Sequence, residues 1–281
     1  MKKVLLSVVA ALAVTAAVPA FAADMPVKGK MAPVAYVSPW DVAFGTAFTT
    51  NYVLRGISQS NNKPAVQGYF EGQFKPTDWV TLYAGVWGSS LYTGFANAEF
   101  DISGGARFAW GNFGLDLGYV YYAYPGPAAP GLSGNSSLDY GEVYAKPSYK
   151  FTDWLTVGGI IIGGNDFGNT GNSAWYYAGN AAVTLPAFLP MGITTTISAE
   201  LGRQTYSSGY KVLGTAIVDY TTWNAGVAFN YKAITLDLRY YDTNIDSTTN
   251  TTQCLTTTLS NACKESFVAM LKFDALLSAL K

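Results

Sequence analysis

Histidine is absent from all 281 residues. Ser-His and Asp-His hydrolytic arrangements, imidazole metal sites and imidazole acid–base work go with it. Little else in the chain has the right type and spacing for chemistry. Glu99 and Asp101 stand at i, i+2, which puts both carboxyls on one face of a strand, near enough to divide acid and base roles. No serine stands in a nucleophile context, so the pair reads first as strand-face polarity. Cys254 and Cys263 lie in the polar run TTNTTQCLTTTLSNACKES. Two sulfurs without neighbouring ligand types do not make a metal site, but in an oxidising compartment they form a disulfide. Closing so short a loop contributes about 2.7 kcal/mol in the chain-entropy model. Arg55 follows an apolar run in NYVLRGISQS, residues 51–60, and is followed at once by Gly, Ser, Gln and Ser. It either binds something or marks where a strand leaves one environment for another. No cofactor is expected, and a net charge of −1 gives no reason to expect nucleic acid.

The elements that must position these residues have an unusual composition. Charged residues make up 12% of the chain, where soluble domains average about 25%. Aromatics make up 15%, yet the apolar residues are dispersed rather than run together. The one long apolar run is at the start, where Lys2 and Lys3 precede Val4 to Pro19 and then Ala20-Phe21-Ala22. That order is a secretory signal peptide, residues 1–22. Residues 23–38, rich in proline and without periodicity, read as a flexible periplasmic lead-in. Residues 39–281 then form one domain.

Period 2 dominates that domain. WDVAFGTAFTTNYVLR separates Trp40, Val42, Phe44, Phe48, Tyr52 and Leu54 from Asp41, Asn51 and Arg55. EFDISGGARFAW separates Phe100, Ile102, Phe108 and Trp110 from Glu99, Asp101 and Arg107, and ITLDLRYYD separates Leu236 and Leu238 from Asp237 and Arg239. Ionised groups gather on one face, strand after strand. Several segments run to ten residues or more, the length that crosses a bilayer at a tilt, where strands of soluble domains hold about 5–6. Connections alternate between short turns and long polar loops. Trp79, Trp110 and Trp154 touch short turns and Trp40 opens the first strand at the same end, as an interfacial aromatic girdle would. The expected fold is all-β: a single antiparallel transmembrane β-barrel of about twelve strands, with short periplasmic turns and long extracellular loops. Its first strand is expected over 40–55 and its tenth over 215–231.

The stretch NYVLRGISQSNNKPAVQGYFEGQF, before TDW, resembles the TorF-type porin family of exported bacterial proteins. Tyr52, Arg55-Gly56-Ile57-Ser58-Gln59-Ser60 and Pro64-Ala65-Val66-Gln67-Gly68 carry the resemblance, which is strongest over residues 40–90. It implies an outer-membrane barrel with porin activity and brings no catalytic or cofactor residues.

The expected role is therefore passive passage of ions or small polar solutes. The lumen is expected to be lined by Arg55, Glu71, Lys75, Glu99, Asp101, Arg107, Asp116, Glu142, Lys146, Asp237 and Arg239, paired across strands. Tyr52 and Leu54 are expected to face lipid at the end of the first strand. Arg55 is expected near the outer mouth, paired to Glu71 or Glu99, ahead of an external loop at 58–62. The alternative is a plugged structural or adhesive barrel; a membrane hydrolase and a soluble periplasmic sandwich are weaker readings. The expected partners are outer-membrane lipids, solutes or ions, and the barrel-assembly machinery.

Overall fold

The computed structural model describes residues 38–93, 96–125, 138–186, 188–207, 209, 211–212, 215–254 and 261–280. The expected leader at 1–22 and nearly all of the lead-in at 23–38 lie outside the described residues.

The strands in chain order are β1 (Trp40–Thr49), β2 (Val53–Leu54), β3 (Ile57–Ser58), β4 (Ala65–Thr77), β5 (Val80–Ser90) and β6 (Ala98–Trp110). They continue with β7 (Phe113–Ala123), β8 (Tyr140–Lys150), β9 (Leu155–Gly164), β10 (Ala174–Thr184) and β11 (Thr194–Tyr206). The last are β12 (Lys211–Val212), β13 (Thr215–Ala216), β14 (Tyr220–Tyr231), β15 (Ile234–Thr243) and β16 (Ser266–Leu276). Twelve of them form a closed antiparallel barrel, in the order β1-β16-β15-β14-β11-β10-β9-β8-β7-β6-β5-β4. Closure comes from β1, which pairs with β4 on one side (Phe44 opposite Phe70) and with β16 on the other (Phe48 opposite Leu271). Each of the twelve wall strands pairs on both sides, so the ring has no open edge.

The alternation sorts side chains as a membrane requires. Phe48, Phe70, Ile102, Leu201 and Phe267 point outward, the last two 62% and 68% exposed. A continuous apolar exterior of this kind is far larger than any patch a soluble domain tolerates, whereas lipid accepts it. On the opposite parity Gln67, Glu71, Tyr83, Glu142, Tyr176 and Gln204 are buried inside. Trp40, Trp79, Trp110 and Trp154 are all exposed at the end where short turns join β4 to β5, β6 to β7 and β8 to β9. There Trp79 stacks on Trp110, and Trp110 on Phe113.

Two expected strands are too long. The first ends at Thr49, not at residue 55. Thr50 makes the last main-chain contact of this strand with β16: its N–H donates to the Ala269 carbonyl, and its hydroxyl accepts from the Ala269 N–H. The tenth begins at Tyr220, because residues 215–216 pair with 211–212 in a small loop hairpin instead. Proline also marks irregularity in the wall. The register of β4 against β5 shifts between Phe74 and Thr77, around Pro76, which has no N–H for the ladder.

Candidate functional site

Beyond Thr50 the chain turns into the barrel rather than over its rim. β2 and β3 pair as a tight hairpin, Val53 opposite Ser58 and Leu54 opposite Ile57. The two turn residues are Arg55 (φ 49) and Gly56 (φ 82). Positive φ at both central positions is the I′ geometry that suits the twist of a two-residue hairpin, and glycine accommodates it without strain. Gly56 is required for space as well: a methyl there would overlap the side chains of Thr222 and Thr243 on the wall.

A small polar knot holds the base of the hairpin. The Asn51 side-chain carbonyl accepts from the hydroxyls of Ser58 (2.6 Å) and Ser60 (3.0 Å), while its amide donates to Asn62 (3.0 Å). The Tyr52 N–H donates to the Ser60 hydroxyl, and the Gln59 N–H donates to the Tyr52 carbonyl. The polar residues of NYVLRGISQS thus close the segment on itself. A second clamp comes from the loop between β15 and β16, where Cys254 and Cys263 form a disulfide. The Ser58 N–H donates to the carbonyl of Ala262, the residue before Cys263.

The hairpin spans the lumen. Near its base Tyr52 is 2% exposed, packs edge-on against Trp87 of β5, and donates its hydroxyl to Glu99 of β6 at 3.2 Å. At its tip the Arg55 carbonyl accepts from the Tyr220 hydroxyl of β14 at 2.9 Å. In the strand order of the barrel, β6 and β14 lie on opposite walls. The Arg55 guanidinium binds Glu142 of β8 through both terminal nitrogens, at 3.1 and 2.5 Å, and donates to Gln204 of β11 at 3.1 Å. Its charge also lies 5.4 Å from the centre of the Tyr176 ring. Tyr122 donates to the same Glu142 carboxylate. A bidentate, planar pairing of this kind is the strong form of a charge-assisted hydrogen bond.

The expected facing of Tyr52 and Leu54 and the expected partner of Arg55 are therefore corrected. Tyr52 faces the interior, not lipid, and Leu54 packs against the same cluster, because the chain has already left the wall. Arg55 is at the loop end of the barrel, near the mouth where it was expected, but it is buried and its carboxylate is Glu142, not Glu71 or Glu99. Glu71 is occupied elsewhere: Arg107 of β6 grips it with both terminal nitrogens at 2.7 Å, and Gln73 donates to it. Arg107 also reaches Asp116 at 3.4 Å and lies 3.8 Å from the Tyr83 ring centre; Tyr83 in turn donates to Asp116 and bonds Tyr144. Arg239 is satisfied by Asp237, Asn224 and Ser198. Lys146 lies over the Tyr144 ring. Lys75 keeps the inward parity but is exposed at the turn end, since β4 runs on to Thr77, beyond its last pairing with β1 at Phe74.

Glu99 and Asp101 lie side by side on β6 beneath Tyr52. Both are sealed from solvent, at 0% and 2% exposure. Glu200, Gln204, Tyr220, Lys272 and Asp274 belong to the interior as well, beyond the residues expected to line it. Their inward parity was the signal, already visible for Glu200 in ITTTISAEL.

A closed membrane barrel with a charge-lined, tyrosine-rich interior and a hairpin lodged across it is the class this chain defines. The chain belongs to the bacterial protein family of unknown function Gcw_chp, which matches it over residues 34–273. Comparison with characterised proteins gives no match. Among solved structures it is similar to the COG4313 outer membrane channel from Pseudomonas putida F1, at 13% identity and a TM-score of 0.49, over 88% of this chain and 100% of that one. It is also similar to LpxR from Salmonella typhimurium, at 9% identity and a TM-score of 0.45, over 83% and 99%.

Proposed function

We propose that this protein is an outer-membrane channel for ions and small polar solutes, with the segment at residues 50–63 as its plug. The observation that carries the reading is the contact of Arg55 with Glu142. About eight strands enclose an interior that wall side chains alone can fill, and twelve enclose a wider one. Here a separate element crosses the lumen and is held by side-chain contacts at its tip, so it has a route out that leaves the wall intact. The interior is polar where apolar filling would cost less. Toward the turn end the inward charges Arg107, Asp116, Asp237, Lys272 and Asp274 retain partial exposure, which suits a wet vestibule behind the plug.

The resemblance to the TorF-type porins supports the same reading, as does the leader proposed at 1–22, which would deliver the chain to the outer membrane by way of the assembly machinery. In this reading the loop end faces outward and the turn end faces the periplasm. The residues expected to line the lumen keep that role, with Arg55 as part of the plug. No catalysis is included, because Glu99 and Asp101 lie sealed under the hairpin.

Planar-bilayer recording tests the proposal. The intact protein should conduct rarely, and a variant lacking Val53–Ser58 should conduct steadily. Silence from both across a range of salts would sink the channel reading and leave a structural barrel.

A further inference from the structure

We infer that the plug is latched by one proton shared between Glu99 and Asp101. Pore control by pH follows from this only if the channel reading above holds; the latch itself does not depend on it.

The inference starts from a charge count. The two carboxyls lie within hydrogen-bond reach of each other on the inner face of β6. Tyr52 of the plug donates to one oxygen of Glu99, while Glu99 Oε2 and Asp101 Oδ1 have no hydrogen-bond donor. Charged and titratable groups face them from each packed element: Tyr52 and Arg55 from the plug, Tyr122 from β7, Tyr124 from the loop after it, and Tyr140 and Glu142 from β8. β5 presents Trp87 and Ser89, the register neighbours of Asp101 and Glu99, and beyond Ser89 lies Gln67 of β4, all uncharged. Arg55 is the one cation of the set, and both ends of its guanidinium are engaged with Glu142. With every carboxyl ionised, this dry pocket would hold three negative charges against one positive. Two touching carboxylates without a countercharge do not persist in such a place; they hold a proton between them. A hard metal ion is a poor substitute, because it takes about six oxygens and the neighbouring side chains here are aromatic.

The proton couples to the position of the hairpin. With the plug seated, Tyr52 covers the pair and the proton stays. With the plug withdrawn, water reaches both carboxyls, they ionise separately, and the proton passes to solvent. The seated form therefore binds one proton more than the withdrawn form. It gains as pH falls and is lost as pH rises, by up to about tenfold in population per pH unit, the limit for a single coupled proton.

Hydrogen exchange of residues 50–63 in the full-length barrel, corrected for the intrinsic pH dependence of exchange, reads the latch directly. Bilayer conductance is recorded over the same range. Protection in the wild type should fall from about pH 5 to about pH 9, the span over which a coupled carboxyl pair can titrate. The double variant Glu99→Gln with Asp101→Asn leaves no titrating carboxyl of the pair, so it should keep protection level across the range. A pH-independent wild type, or a full response surviving in the double variant, would overturn the latch. If protection follows pH as expected while every form stays silent in the bilayer, the latch stands and the channel reading falls.

Discussion

Arg55 and Glu142 are 87 positions apart in the chain and meet across the lumen through two parallel hydrogen bonds. The arginine is at the turn of an inserted hairpin and the glutamate is on β8, close to the opposite wall from β1 and β4, the strands that flank the insertion. The contact therefore joins the inserted hairpin to the barrel wall. Both partners are almost completely buried, with side chains 6% and 0% exposed.

Replacing one partner should free the hairpin. Breaking a buried pair from one side leaves an uncompensated charge and costs about 3–5 kcal/mol. Arg55→Met should raise hydrogen exchange across residues 50–63 and raise channel open time in bilayers. Arg55→Met combined with Glu142→Leu should recover much of the protection, because the orphaned carboxylate is then removed too. An additive double variant would show that the two side chains do not act together.

Gly56→Ala should unseat the tip. The backbone there is left-handed and a methyl would overlap Thr222 and Thr243, so the loss should exceed the roughly 1 kcal/mol of ordinary glycine effects. Exchange at residues 53–58 should rise while the wall strands stay protected. Protection equal to wild type would mean that the tip does not rest against β14 and β15.

The Cys254–Cys263 bond should steady the plug from outside. Its loop closes on the hairpin through Ser58 and Ala262, and closure of the loop contributes about 2.7 kcal/mol in the chain-entropy model. Reduction, or the paired change Cys254→Ser with Cys263→Ser, should increase exchange at residues 58–62 ahead of any change in the barrel. Loss of protection throughout the wall instead would assign the bond to global stability.

Arg107→Lys separates wall from plug. Lysine keeps the charge but gives up the bidentate grip on Glu71 and the stacking on Tyr83. Thermal unfolding of the refolded barrel should move down by a modest amount, with protection at residues 50–63 unchanged. A plug released by this variant would show that the two networks are one.

The strand walls were legible in the chain because alternation is a local property. A residue's neighbour two places away decides which face it joins, and lipid outside with polar packing inside makes that choice costly to violate. So twelve strands, the outward Phe100 and Ile102, the inward Glu71 and Arg107, and the tryptophans beside the short turns all follow from spacing. The same rule misplaced Tyr52. Alternation continues past Thr49 without interruption, yet the chain has left the wall, because a two-strand hairpin keeps period 2 wherever it lies. NYVLRGISQS announced a turn through Arg55-Gly56, and its polar tail announced hydrogen bonding, but neither feature states a direction.

The sequence by itself determined a lipid-facing barrel and which side chains of the wall strands point into it. Only the tertiary structure decided which of those charges meet. Curvature brings β8 and β11 round to face a loop that begins at β1, and that closure sets Arg55 against Glu142 and Tyr52 against Glu99. Contacts made across a lumen depend on how many strands lie between the partners and on where the inserted hairpin ends. Those quantities belong to the closed ring of strands, and no local pattern of residues encodes them.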